Sequence, residues 1–98
     1  MTPRLSFKSE AETDIDQAYK WYRDRSARAG VRFLREVDAT LARIERNPLG
    51  YQRVFLSARR ATLRRFSFGI FFIVREQDIV VIACVHDHRD PSVWQQRL

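Results

Sequence analysis

At 98 residues, 45% of them hydrophobic, the chain is expected to form a single domain, 1–98, with a core large enough to fold without staples and too apolar for disorder. Its one cysteine, Cys84, excludes both a disulfide framework and a cysteine-type zinc site, and no apolar window approaches the length of a membrane span. The formal net charge is +6, with sixteen arginines against two lysines, which points to an anionic partner, nucleic acid or acidic protein; a GC-rich coding sequence would enrich arginine too.

Met1 to Lys8 carries no apolar stretch resembling a signal peptide, so the cytoplasm is the expected compartment. Within it, Arg4 to Lys8 alternates weakly, with Leu5 and Phe7 on one side, and predicts a short first strand. Ser9 and Glu12 form an S-x-x-E capping box for a helix running to about Arg25. Ala11, Ile15, Ala18 and Tyr22 make its apolar stripe, flanked by Tyr19 and Trp21. Asp14 and Asp16 near its start complement the helix N-terminus. Gly30 breaks this pattern, and a second helix follows with Phe33, Leu34, Val37, Leu41 and Ile44 inward, ending at Asn47-Pro48. The short link makes the pair an antiparallel αα-hairpin.

After Pro48-Leu49-Gly50, Tyr51 to Leu56 reads as extended and Ala61 to Phe66 as a strand, with Ala61, Leu63 and Arg65 on one face. Phe68 to Val74 is apolar at nearly every position. Glu76-Gln77-Asp78 is a tight polar connection into the run Ile79 to Val85, which implies antiparallel pairing. Cys84 in that run is expected to be a small core residue. The order β-α-α-β-β-β with a short C-terminal helix gives an α+β fold: an antiparallel-rich sheet of about four strands, packed on one face by the helical hairpin.

The chemically loaded segment is the end of the chain, where a strand buried on both faces gives way to His86-Asp87-His88-Arg89-Asp90-Pro91. Asp90 is placed to cap a closing helix with Pro91 at its first position, which groups His86, His88, Arg89, Trp94 and Arg97. Two histidines, two residues apart, are too few for a metal centre, so joint metal ligation is not expected. One of them could serve as a general acid or base, or each could merely cap the strand end. Arg59, Arg60, Arg64 and Arg65 form a second basic group. For Arg59 and Arg60 a solvated strand surface is the simpler reading, while Arg65 could share a concave face with His86 or His88 and contact phosphate or an acidic segment. There is no glycine-rich phosphate loop, G-x-S-x-G or H-E-x-x-H.

Taken together, the layout resembles the RelE/ParE superfamily of bacterial type II toxins over nearly the whole chain. The resemblance is carried by Ala11-x-x-Asp14-Ile15 with Trp21-Tyr22, Gly30-x-x-Phe33, and Ile44 with Asn47-Pro48. Further on it is carried by Leu63-x-Arg65-Phe66-x-Phe68-x-Ile70-Phe71-Phe72 and His86-x-x-Arg89-Asp90-Pro91-x-x-Trp94. It implies a small basic toxin neutralised by a cognate antitoxin with an acidic, partly disordered C-terminal segment. RelE-like members cut messenger RNA on the ribosome; ParE-like members, often labelled plasmid stabilisation proteins, poison DNA gyrase without a known hydrolytic site. Many RelE-like nucleases carry a tyrosine after the last strand, and here none follows Tyr51. The Arg89-Asp90-Pro91-x-x-Trp94 ending is similar to the ParE-like branch. The resemblance therefore implies a gyrase inhibitor without hydrolytic activity, with Arg59, Arg60, Arg64, Arg65, His88, Arg89, Trp94 and Arg97 meeting target or antitoxin. One alternative is a ribosome-dependent endoribonuclease using Arg65 and His86, with ribosome and mRNA as partners; another is a non-toxic antitoxin-binding co-repressor. No cofactor, metal or membrane is implied, and operator DNA is reached only through the antitoxin.

Overall fold

A computed structural model describes residues 3–98. Met1 and Thr2, the start of the segment read as lacking a leader, lie outside the described residues. In chain order the elements are β1 (Arg4–Phe7), α1 (Ser9–Arg25), α2 (Ala27–Arg46), a 3₁₀ turn (Pro48–Gly50), β2 (Arg53–Phe55), β3 (Ala58–Thr62), β4 (Phe68–Arg75), β5 (Asp78–His86) and α3 (Ser92–Gln95). The expected α+β order is present.

The helical hairpin forms as its apolar spacing dictates, but its boundaries differ from the expected ones. The capping box does not form, because helix α1 begins at Ser9 itself with Lys8 as the N-cap. The Lys8 carbonyl accepts from the Ala11 and Glu12 amides at 3.0 and 3.2 Å. Ser9 is thus already inside the first turn, and its hydroxyl donates to Glu10 at 3.3 Å rather than serving the free amides. The break between helices falls at Ser26, not Gly30. Ser26 is extended (φ −165, ψ 128) and its Oγ caps α2 by accepting from the Ala29 amide at 3.3 Å. Gly30 is buried inside α2, where a Cβ would lie 3.0 Å from Tyr19 Cε1 and 3.2 Å from the Arg23 Cα. The helices come too close here for a side chain, and smallness is what the position requires. Helix α2 ends at Arg46, directly before Asn47-Pro48, as the proline predicts.

The sheet has five strands in the order β1-β5-β4-β3-β2, one more than the expected count of about four, because the extended stretch after Pro48–Gly50 pairs with β3. Strand β1 runs parallel to β5 and the other pairs are antiparallel. Strand β3 lies three residues earlier than the alternation suggested. The Leu63 amide donates to the Phe68 carbonyl at 2.9 Å, closing a loop in which Arg65 takes φ 67. A left-handed residue cannot continue a strand, so pairing ends at Thr62 and Arg64 and Arg65 sit on a loop.

Strands β4 and β5 are covered on both faces, as the unbroken apolar runs imply. Phe33, Val37, Leu41 and Ile44 of α2 meet Ile70, Phe72, Ile79 and Val81 on one side. On the other, Phe71, Ile73, Ile82, Ala83 and Val85 pack with Trp94. Each such large side chain contributes about 1.5–3 kcal/mol on burial. A β-bulge sits between them: Phe71 faces Ala83 while Phe72 faces Val81, leaving Ile82 unpaired. It sends Ile82 and Ala83 to the same face and turns the following part of β5 toward α1.

Candidate functional site

Strand β1 covers the outer edge of β5 only from Asp78 to Val81. Beyond Val81 that edge is met by side chains. The Cys84 amide donates to Asp14 Oδ2 at 3.0 Å, and Arg97 donates to the Ile82 carbonyl at 3.1 Å. Arg97 and Asp14 also form a bidentate pair at 2.5 and 3.2 Å, both side chains largely buried. The Lys8 ammonium donates to the Arg97 carbonyl at 2.6 Å. Asp14 therefore ties α1, the bulged strand and the C-terminal tail into one joint, and Arg97 is committed within it. The role expected for Asp14 at the helix N-terminus yields to this contact, while Asp16 pairs with Lys20 at 2.9 Å.

Past this joint, α1 and the end of β5 enclose a groove of about 400 Å³ lined by Asp14, Gln17, Ala18, Trp21, Tyr22, Phe68, Cys84, Val85, His86 and Arg89. Its floor is apolar and its rim basic. Tyr22 is stacked on Phe33 with ring centroids 5.2 Å apart and anchors α1 to the core; burial raises its phenol pKa above the ordinary value. Trp21, by contrast, is 51% exposed. The Arg25 guanidinium lies 3.3 Å from the centroid of its ring, a cation–π arrangement, and donates to the Trp21 carbonyl at 2.9 Å. Cys84 is buried as expected. Burial, and after it the Asp14 carboxylate, push its thiol up to about 12, so it is an inert thiol at neutral pH.

His86 and His88 lie close together: residues two apart share a face on a strand, and β5 ends at His86 in any case. The following turn brings the two rings 5.3 Å apart, and the His88 amide donates to His86 Nδ1 at 3.1 Å. The His86 ring also meets Phe68 edge-on at 5.3 Å. Among the described residues no group of three or more His, Cys, Asp or Glu side chains could hold a metal ion.

The remaining residues singled out from the sequence divide. Trp94 is stacked on Phe71 with centroids 4.2 Å apart, edge-on to Phe55, and only 5% exposed; it holds the far face together. Trp94 and Arg97 thus lie on opposite sides of the β5 edge rather than on one face. Asp90 caps the tail one residue outside the expected position: its Oδ1 accepts from the Ser92 amide at 3.0 Å, with Pro91 as the N-cap. The Ser92 amide and hydroxyl lower the Asp90 pKa. Arg59 donates to the Tyr51 carbonyl at 2.5 Å, and Arg60 pairs with Asp87 at 2.8 Å. Both side chains are engaged, though each stays partly exposed as a strand-surface residue would.

Arg64 and Arg65 are exposed and line a separate cavity with Arg32, Arg35, Glu36 and Phe66. His86 lines the α1–β5 groove and the small cavity beneath Trp94, and Arg65 lines neither. Arg65 therefore shares with His86 neither of the cavities that His86 borders. Arg89 borders both of the His86 cavities. Gln17 is a groove residue that the sequence did not single out, and Asp14 was read there only as a helix N-terminus charge and as part of the family pattern.

Comparison with known proteins places this architecture. No curated protein matches the chain by sequence. A solved structure described as the chromosomal ParDE TA system from P. aeruginosa is similar in fold, with a TM-score of 0.77 at 16% identity, covering 87% of this chain and 96% of that one. A family model described as the ParE toxin of the type II toxin-antitoxin system parDE matches residues 5–91. That span runs from β1 through the groove to the capped turn at Pro91, and on it the chain belongs to the ParE toxin family of type II toxin-antitoxin systems.

Proposed function

We propose that residues 1–98 form a single toxin domain that acts in the cytoplasm on DNA gyrase, without hydrolytic activity of its own. In this reading an acidic antitoxin segment silences it by lying in the groove between α1 and the end of β5. The groove combines the end of a strand that β1 leaves unpaired and Asp14 and Arg97 only partly occupy, an apolar floor at Trp21, Tyr22 and Phe68, and basic groups at Arg89 and at Arg25, stacked on Trp21. An extended segment gains main-chain hydrogen bonds from a strand edge and specificity from side-chain pockets. Acidic side chains on it would find charge-assisted partners on the rim.

The observation that carries the non-hydrolytic reading is that neither cavity bordered by His86 is bordered by Arg65. Hydrolysis of a phosphodiester needs a proton-transfer group and a phosphate-stabilising cation at one reacting phosphate. Here Arg65 and His86 line different cavities, and His86 Nδ1 already accepts the His88 amide.

The test is induction of the chain without its antitoxin. Growth arrest is expected together with DNA-damage signalling, and the purified chain should inhibit gyrase supercoiling, with His86→Ala retaining both effects. Primer extension that shows cuts at ribosomal A-site codons, abolished by His86→Ala or Arg65→Ala, would establish the ribonuclease instead. Harmless induction at verified expression would leave the co-repressor reading.

A further inference from the structure

The outer face of α2 carries a basic surface that the groove does not use. At 3.6 residues per turn, Arg28, Arg32, Arg35 and Arg46 fall within about 60° of one another around the helix. All four are exposed. Ala39 lies in the same stripe, and Asp38 and Glu45 sit roughly a quarter-turn or more away. The stripe is about 27 Å long at 1.5 Å per residue. The loop after β3 adds Arg64 and Arg65 beside it, and together they border a cavity of about 330 Å³.

The one carboxylate in this cavity is already engaged. Glu36 Oε1 accepts the Arg64 amide at 2.7 Å and pairs with Arg43 at 3.3 Å. Among the described residues, none of the guanidiniums of Arg28, Arg32, Arg35, Arg46, Arg64 and Arg65 forms a salt bridge. Arg65 holds φ 67, a backbone conformation that glycine or asparagine would occupy at lower cost. Keeping an arginine there places a further cation beside the middle of the stripe.

We infer that this face grips the phosphodiester backbone of duplex DNA, in a sequence-independent manner. Three cations spaced by one helical turn, with a fourth three turns further along the exposed helix, match a rigid array of phosphates. The stripe has one half-buried ring beside it, Phe66, where the α1–β5 groove has three aromatic side chains for an acidic peptide to fold upon. The Phe66 ring is held edge-on to Tyr22 and Phe33, and a single strand usually needs a series of such rings to stack its bases on, which favours a duplex. The inference takes its setting from the gyrase reading, since gyrase works on duplex DNA, but the contact itself belongs to this chain.

Fluorescence anisotropy of a labelled duplex of about 20 base pairs with the purified chain, at several salt concentrations, tests it. Arg28→Gln, Arg32→Gln and Arg35→Gln together should weaken binding about tenfold or more, and flatten the salt dependence by about one unit of slope for each phosphate that is no longer held. A charge-matched control, Arg4→Gln with Arg53→Gln and Arg75→Gln, should stay within about twofold. Arg65→Gly should raise the thermal midpoint while lowering DNA affinity, a combination that a purely structural role would not give. Equal losses in both triple variants would reduce the effect to net charge and overturn the assignment. So would equal or tighter capture, by the same stripe, of a poly-glutamate peptide or an RNA hairpin. Because gyrase is absent from this measurement, its failure leaves the supercoiling result standing, and the reverse holds too.

Discussion

Cys84 and Gly30 show how a single position can be read for the wrong or the right reason. Cys84 is a core residue, as its apolar neighbours predict, but its backbone amide serves the Asp14 carboxylate, and that proximity helps raise the thiol to about 12. A thiol whose folded pKa lies above its ordinary value contributes stability that is complete below the unfolded pKa and is lost as pH rises to the folded one. The chain is therefore expected to lose thermal stability between about pH 9 and pH 12, and Cys84→Ala should flatten that decline in melting curves taken across the window. Gly30 offers a competition of magnitudes. Replacing glycine by alanine inside a helix gains about 1 kcal/mol of propensity. The added Cβ would stand 3.2 Å from the Arg23 Cα, a backbone atom that cannot rotate away, and overpacking costs about 1–3 kcal/mol. Overpacking should win, so Gly30→Ala is expected to lower the urea midpoint by an amount worth roughly 1 kcal/mol. An unchanged or higher midpoint would mean that the helices separate at no cost.

At the scale of elements, the C-terminal tail is held by two unlike devices on opposite sides of β5. Trp94 contributes apolar stacking on Phe71, and Arg97 contributes the buried pair with Asp14. Removing one partner of a buried pair strands the other charge, so Asp14→Ala and Arg97→Ala should each cost about 3–5 kcal/mol. The double variant should cost clearly less than their sum, and denaturant titration of all four proteins gives that coupling directly. Additive losses would show that the pair does not act as a joint. Trp94→Ala should cost about 3–5 kcal/mol through the cavity it leaves. The sequence already marked Asp90-Pro91 as a turn and Trp94 and Arg97 as important. It did not separate their destinations, because i and i+3 share a face only while a helix lasts, and α3 ends at Gln95.

At the scale of the whole molecule, the +6 charge divides into arginines committed inside and arginines left free. Arg43, Arg60 and Arg97 are paired with carboxylates and Arg59 with carbonyls. The free ones concentrate on α2, the adjoining loop and the groove rim. Long-range attraction from such a field is screened over about 8 Å at physiological ionic strength. Association with an acidic antitoxin segment should thus slow about tenfold or more between low and high salt, while dissociation changes little. Stopped-flow fluorescence can follow this through Trp21, which lines the groove, whereas Trp94 is buried on the far face. A salt-independent association rate would remove electrostatic steering from the account.

The sequence by itself determined the α+β order, the hairpin stripes, the stop at Pro48, the doubly buried strands and the basic character. Each of these follows from local spacing, backbone chemistry or composition, which need no partner to be legible. Only the tertiary structure decided that β1 leaves the end of β5 uncovered, that Asp14 joins Arg97 across 83 residues, and that Arg65 and His86 stand in separate cavities. Those depend on strand order, on one bulge and on one left-handed loop residue, all set by which distant segments pack together.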